Sequence, residues 1–188
     1  REKQQKKKVE IIWVARFIKW KHPEVVIKLA KELRKENVEF KIKMLGTGKL
    51  IEKIKREVTK NDLSGQIEIV GQVPSSKVKD YMEEADIFIG TSDSQEGWGV
   101  VVNEAMNAGC AIVANRRMGS VPILIKDGEN GYTYDKYPEL KEKVEYLIKN
   151  AEARSKLGKN AYLYITQKWT STIAANNLIK LFESILYG

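Results

Sequence analysis

Asp86-Ile87-Phe88-Ile89-Gly90-Thr91-Ser92-Asp93-Ser94-Gln95-Glu96-Gly97-Trp98-Gly99-Val100-Val101-Val102-Asn103-Glu104-Ala105-Met106 carries an apolar run through a polar loop into a helix. The pattern predicts a strand over 86–90, a loop over 91–97 and a helix over about 98–108, stopped by Gly109. At ~3.6 residues per turn, Glu104 is expected in the second turn of that helix, with Glu96 in front of the first. Two carboxylates would then bracket a helix N-terminus. Its free N–H groups and positive dipole end suit phosphate, and Gly97 and Gly99 let a ligand approach the backbone. A diphosphate seated there has a sugar on one side and a ribose on the other, each with a carboxylate to accept its hydroxyl hydrogen bonds. The stretch reads as a nucleotide-sugar site.

The rest of the chain alternates in the same way. Strands are predicted over 9–14, 39–45, 67–70, 110–114 and 131–134, each short, apolar and β-branched. Amphipathic helices are predicted near 24–36, 50–59, 76–85 and 121–126, and three more, over 138–149, 151–167 and 171–186, close the chain. Such alternation implies an α/β fold: a Rossmann-like, doubly wound parallel sheet of about six strands, with helices on both faces and extra C-terminal helices. No linker, repeat or low-complexity tract interrupts residues 9–188, so one domain is expected there. Residues 1–8 hold five basic residues and one acidic, and are expected to be a disordered or linker basic tail.

If the strands take the order 3-2-1-4-5-6, the reversal lies between the first and fourth, and ligands bind beyond their carboxyl ends. The loop after the first strand carries Arg16 and Lys21; the loop after the fourth carries Ser92 and Glu96. A cation pair and a carboxylate would converge there. A flavodoxin-like order would move the switch point and weaken that convergence.

Composition bounds the partners. With 188 residues, 43% hydrophobic and 31% charged, the chain can bury one good core. No apolar run approaches the ~20 residues of a membrane span, and no charged-then-apolar leader opens the sequence. The lone Cys110 forms no internal disulfide and is expected to begin a buried strand, which fits a cytoplasmic address. The net charge of +8, from 33 Lys and Arg against 25 Asp and Glu, suits an anionic partner such as a nucleotide, nucleic acid or acidic lipid surface. It is equally the mark of solvated helix faces such as 28–36. No Asp-x-Asp or His/Cys cluster has metal-ligand spacing, so no metal and no other cofactor is expected.

Further stretches fall in a recognisable order: Val14-Ala15-Arg16-Phe17-Ile18-Lys19-Trp20-Lys21-His22, Leu45-Gly46-Thr47-Gly48, Ile69-Val70-Gly71-Gln72-Val73, Glu84-Ala85-Asp86-Ile87-Phe88 leading to Ser92, Asn107-Ala108-Gly109-Cys110-Ala111-Ile112-Val113-Ala114 and Asp127-Gly128-Glu129-Asn130-Gly131. With Glu96 and Glu104 they resemble the C-terminal, donor-binding domain of retaining glycosyltransferases of the two-domain GT-B architecture, the glycosyl transferases group 1, whose signature is E-x7-E. The resemblance runs from about residue 9 to 169 and covers only the second half of such an enzyme; the N-terminal acceptor domain is expected to be absent.

The resemblance implies roles. Arg16 and Lys21 would bind the donor diphosphate, and Glu96 the hydroxyls of the transferred sugar; these three are the catalytic candidates. Glu104 would hold the ribose and the Val73 backbone the nucleobase. Gly46, Gly48, Ser92, Gly97, Trp98, Gly99, Val100 and Val101 would line the donor site, with Trp98, where the family usually has Phe, packing beside the sugar. Lone signals among these have plainer readings: Gly46-Thr47-Gly48 as a strand-to-helix turn, Glu104 as a helix surface residue, Glu96 as a helix-dipole partner. Some positions depart from the family. Ala15 and His22 stand where it writes glycine, and His22 is expected to be a surface helix-entry residue. Gly119-Ser120-Val121-Pro122-Ile123 stands where it often writes Gly-Gly-x-Pro-Glu.

The implied activity is transfer of a hexosyl unit from a nucleoside diphosphate sugar to an acceptor hydroxyl, with retention of anomeric configuration. The implied partners are the donor, the chain's own N-terminal domain and a glycan or lipid-linked acceptor, in a setting such as polysaccharide biosynthesis with peripheral membrane contact. No specific nucleic acid is expected. Two other readings remain open from the residues: a non-catalytic nucleotide-sugar-binding module and a basic nucleic-acid-binding domain.

Overall fold

Parallel backbone hydrogen bonding joins six strands into one sheet in the computed structural model, which describes residues 8–187. The strands are β1 (Val9–Val14), β2 (Phe40–Leu45), β3 (Ile67–Gly71), β4 (Ile87–Gly90), β5 (Ala111–Asn115) and β6 (Tyr132–Tyr134). Their order is β3-β2-β1-β4-β5-β6, so the chain reverses between β1 and β4 and the flavodoxin-like alternative is excluded. β1 pairs with β2 from Val9↔Phe40 to Val14↔Leu45, and with β4 through Ile11↔Ile87 and Ile12↔Phe88.

Burial on both sides explains why these strands are apolar without interruption, since successive side chains point to opposite faces. Ile11, Trp13, Ile87, Ile89, Ala111 and Val113 enter one core cluster, while Ile12, Phe88, Ile112 and Ala114 enter the other. The first cluster takes Val26, Leu29 and Leu33 of α1 (Pro23–Lys35), Ile54 and Val58 of α2 (Ile51–Lys60), and Leu140, Val144 and Leu147 of α6 (Tyr137–Lys149). The second takes Met82 of α3 (Ser75–Glu84), Val102, Ala105 and Met106 of α4 (Val101–Asn107), Val121 and Leu124 of α5 (Val121–Leu124), and Ala161 and Ile165 of α7 (Ala151–Lys168). The fold is Rossmann-like α/β with helices on both faces. Lys28, Lys31, Arg34 and Lys35 of α1 lie exposed, as a solvated helix face should.

The expected elements all form, most with ends moved by a residue or two. The exception is α4, which starts at Val101 instead of near Trp98. Gly99 has φ 78, a left-handed conformation that a right-handed helix cannot contain. The turn is held from behind, where Ser120 N–H donates to Trp98 O at 2.8 Å.

The last helix, α8 (Ser171–Tyr187), has no buried residue. Leu178, Ile179, Leu181 and Phe182 are each more than half exposed, and Ile185 and Leu186 are 69% exposed. Residues 1–7, most of the expected basic tail, lie outside the described residues; Lys8 pairs with Glu39 at 3.3 Å.

Candidate functional site

Two loops meet at the switch point. The loop after β1 contains Arg16, a 3-10 turn at Lys19–Lys21, and His22, after which Pro23 opens α1. The loop after β4 runs from Thr91 to α4. Trp13 on β1 donates its indole N–H to Thr91 Oγ1 at 2.8 Å, and that hydroxyl donates to the Lys21 carbonyl. Asp93 N–H donates to Trp20 O at 3.0 Å. His22 Nε2 lies 2.9 Å from Asp93 Oδ2, and Lys21 Nζ pairs with Glu96 Oε2. Residues some seventy positions apart are thereby stitched into one wall.

Arg16 is exposed, with its guanidinium 5.8 Å from the Trp20 ring centroid. Burial and the nearby Arg16 charge lower the pKa of Lys21, against the opposing pull of Asp93. Two cations that disfavour one another at a partly buried corner form an environment suited to an anion. Close by, the backbone N–H groups of Trp98, Gly99, Val100 and Val101 find no acceptor among the described residues. A Cβ added at Gly97 would meet nothing within 4 Å, so the backbone there is open to close approach.

Gly46 and Gly48 stand where the backbone of another loop comes close. A Cβ at Gly46 would stand 2.0 Å from Ala15 O, and one at Gly48 2.6 Å from Phe17 O. Both glycines are required by contact with the loop after β1, which the turn braces through Phe17 N–H to Thr47 O at 2.9 Å. The plain turn reading accounts for them, and their link to Arg16 is support of its loop.

Glu104 falls in the first turn of α4, a correction that follows from the late helix start. Its side chain is exposed, and the surrounding protein raises its pKa by desolvation. No contact joins it to Arg16, Lys21 or Glu96 among the described residues. Ser92 is buried at the end of β4. Val73 packs its side chain on the second core cluster, leaving its backbone as its polar surface. Val100 is exposed and Val101 half-buried. Trp98 stacks on Trp169, with centroids 5.7 Å apart and planes 17° from parallel, and donates its indole N–H to Asn103 at 2.9 Å.

Sequence reasoning missed Thr91, Asp93 and Trp169, and underread His22. His22 does stand at the entry to α1, with φ 50. That left-handed backbone is a conformation glycine adopts freely, which gives a physical reason for the glycine usual at this position in the resembling family. The departure from glycine was the available signal.

Residues 1–164 match the model of the family described as glycosyl transferases group 1. The chain belongs to that family. An uncharacterized glycosyltransferase of Methanocaldococcus jannaschii is 34% identical over 176 residues, 93% of this chain and 48% of that protein. Among solved structures, the C-terminal domain of a glycosyl transferase group 1 family protein (LpcC) from Francisella tularensis superposes with a TM-score of 0.76 at 24% identity, covering 88% of this chain and 87% of that one. Anabaena HepE in complex with UDP-glucose superposes with a TM-score of 0.78 at 18% identity, covering 95% of this chain and 49% of that one. The group 1 chain described here thus spans about half the length of the archaeal relative and of HepE, and the two structural likenesses speak for the fold.

Proposed function

We propose that this chain is the donor-binding, C-terminal half of a retaining GT-B glycosyltransferase, which takes a hexosyl unit from a nucleoside diphosphate sugar and passes it to an acceptor hydroxyl. The observation that carries this reading is the meeting of Arg16, Lys21 and Glu96 at the β1/β4 switch point, beside the open amides of Trp98 to Val101. Arg16 and Lys21 hold the diphosphate, Arg16 through its planar fork and Lys21 as a point charge. As the bond from the anomeric carbon to the leaving phosphate breaks, charge grows on that oxygen, and fixed cations and N–H groups aimed at it lower the barrier.

In this reading Glu96 turns from Lys21 to the sugar hydroxyls when donor arrives, Glu104 accepts from the ribose, and the Val73 backbone faces the base. Retention and the E-x7-E roles rest on the resemblance of Glu96 and Glu104 to that signature. The UDP-glucose held by HepE makes a uridine nucleotide the first donor to try. The acceptor, a glycan or lipid-linked hydroxyl, belongs to an N-terminal half supplied by the whole protein, at work in the cytoplasm or at the inner face of a membrane.

Calorimetric titration with UDP-, GDP- and ADP-sugars tests the reading. Binding should weaken from diphosphate to monophosphate to nucleoside, and removal of Arg16 or Lys21 should flatten that ladder. Binding to nucleic acid with indifference to every sugar nucleotide would overturn it. So would donor binding that a chelator abolishes and Mg²⁺ restores, which points to another class of site.

A further inference from the structure

The chain's single histidine stands between two carboxylates. Nδ1 of His22 is 3.0 Å from Glu24 Oε1, and Nε2 is 2.9 Å from Asp93 Oδ2. An ionised carboxylate only accepts hydrogen bonds, and a neutral imidazole has a single N–H to donate. Both contacts are hydrogen bonds at once only when the ring carries two protons. The arrangement is therefore complementary to imidazolium. Removing one proton sets a ring lone pair against a carboxylate at one of the two positions.

Asp93 is a pivot for the loop after β4. Its carboxylate also accepts from Gln95 N–H at 2.9 Å, and its carbonyl accepts from Glu96 N–H at 3.0 Å. The turn so formed leads directly to Glu96, which returns to Lys21, the neighbour of His22. Lys21 and His22 on one loop and Asp93 and Glu96 on the other thus make a closed ring of two adjacent ion pairs. Moving Asp93 moves the carboxylate that meets Lys21.

We propose that His22 is a positioning residue: as an imidazolium it locks the Asp93-to-Glu96 turn to the Lys21–His22 corner and holds Lys21 and Glu96 in register for the donor. The second part rests on the function proposed above. The charges around this corner are Glu24 from α1, Arg16 and Lys21 from the loop after β1, and Asp93 and Glu96 from the loop after β4. Burial disfavours the charged ring, and the hydrogen bonds to Asp93 and Glu24 outweigh it, raising the pKa above the ordinary 6.5. The lock is closed below the ordinary 6.5 and opens as pH rises through the raised value.

Because there is one histidine, its ring signals in an NMR titration need no assignment. The expected result is a midpoint above 6.5, lowered in Asp93→Asn, with the Lys21 and Glu96 amide signals shifting at the same midpoint. Affinity for UDP-glucose, or for whichever sugar nucleotide of the panel binds, should fall about fivefold or more across that transition, the scale of one lost hydrogen bond. His22→Gly, which keeps the left-handed backbone without strain, should show a flat profile there. A midpoint at or below 6.5, a Glu96 amide indifferent to it, or wild-type donor affinity following the same pH curve as His22→Gly overturns the proposal. If no sugar nucleotide binds at any pH while the His22 and Glu96 signals still titrate together, the assigned function falls and the lock stands.

Discussion

Lys21 and Glu96, seventy-five positions apart in the chain, form an ion pair in which both side chains are largely shielded from solvent, at 12% and 15% exposure. One is the expected partner of the donor phosphates and the other of the donor sugar. Without donor, each neutralises the other, which spares both an unpaired charge at a partly buried corner.

Replacing Glu96 with Ala should therefore have opposite effects on two ligands. Bare nucleoside diphosphate should bind at least as well as before, because Lys21 is released from its competitor. The sugar-bearing donor should lose its advantage over bare diphosphate, by about 1 to 3 kcal/mol for charge-assisted hydrogen bonds. Calorimetry on the two ligands decides this, and equal damage to both would remove Glu96 from the sugar.

Among the described residues the Glu104 side chain has no hydrogen-bond or ion-pair partner, so its loss should cost function and little else. Glu104→Ala should weaken nucleoside diphosphate and full donor alike, by roughly 1 to 3 kcal/mol, with an unchanged melting temperature. A variant that binds both ligands normally would return Glu104 to the role of a helix surface residue.

The His22–Asp93 link should leave a trace in stability as well. The raised histidine pKa gives stabilisation that is complete below the ordinary 6.5 and lost as pH rises through the folded value. The pKa of Asp93 is lowered first by the Gln95 N–H; burial opposes this and His22 adds to the lowering, so its share is complete above the ordinary 3.8 and lost as pH falls through the folded value. The melting-temperature difference between wild type and His22→Gly should thus be largest between 3.8 and 6.5 and shrink on either side. A difference that grows above neutral pH would contradict this.

Helix α8 buries none of its side chains, yet Leu178, Ile179, Leu181, Phe182, Ile185 and Leu186 give it an apolar surface too large for a lone exposed helix. The isolated chain should self-associate through it and should bind donor while transferring almost no sugar. Serine at Phe182 and Ile185 should reduce association without lowering the melting temperature of the domain. Sedimentation at several concentrations and hydrogen exchange test this; a strictly monomeric chain with a fully protected last helix, or efficient transfer by this chain alone, would show the reading of half an enzyme to be mistaken.

What the sequence by itself determined about this protein is its order of elements, its sheet class and its family. Those follow from local periodicity and from motif spacing, which are properties of neighbouring residues. The doubly wound rule brings the loops that carry Arg16, Lys21, Ser92 and Glu96 together only for the order 3-2-1-4-5-6, which the sheet itself supplied. Tertiary structure decided the rest. Helix α4 begins at Val101 because Gly99 is left-handed and Ser120 holds the turn from behind, so Glu104 moves into the first turn. Gly46 and Gly48 prove to be needed by Ala15 and Phe17, and the pairings of Lys21 with Glu96 and His22 with Asp93 join loops some seventy residues apart. No window along the chain contains both members of such a contact, and the backbone of His22 becomes intelligible only when the side chain it reaches is in view.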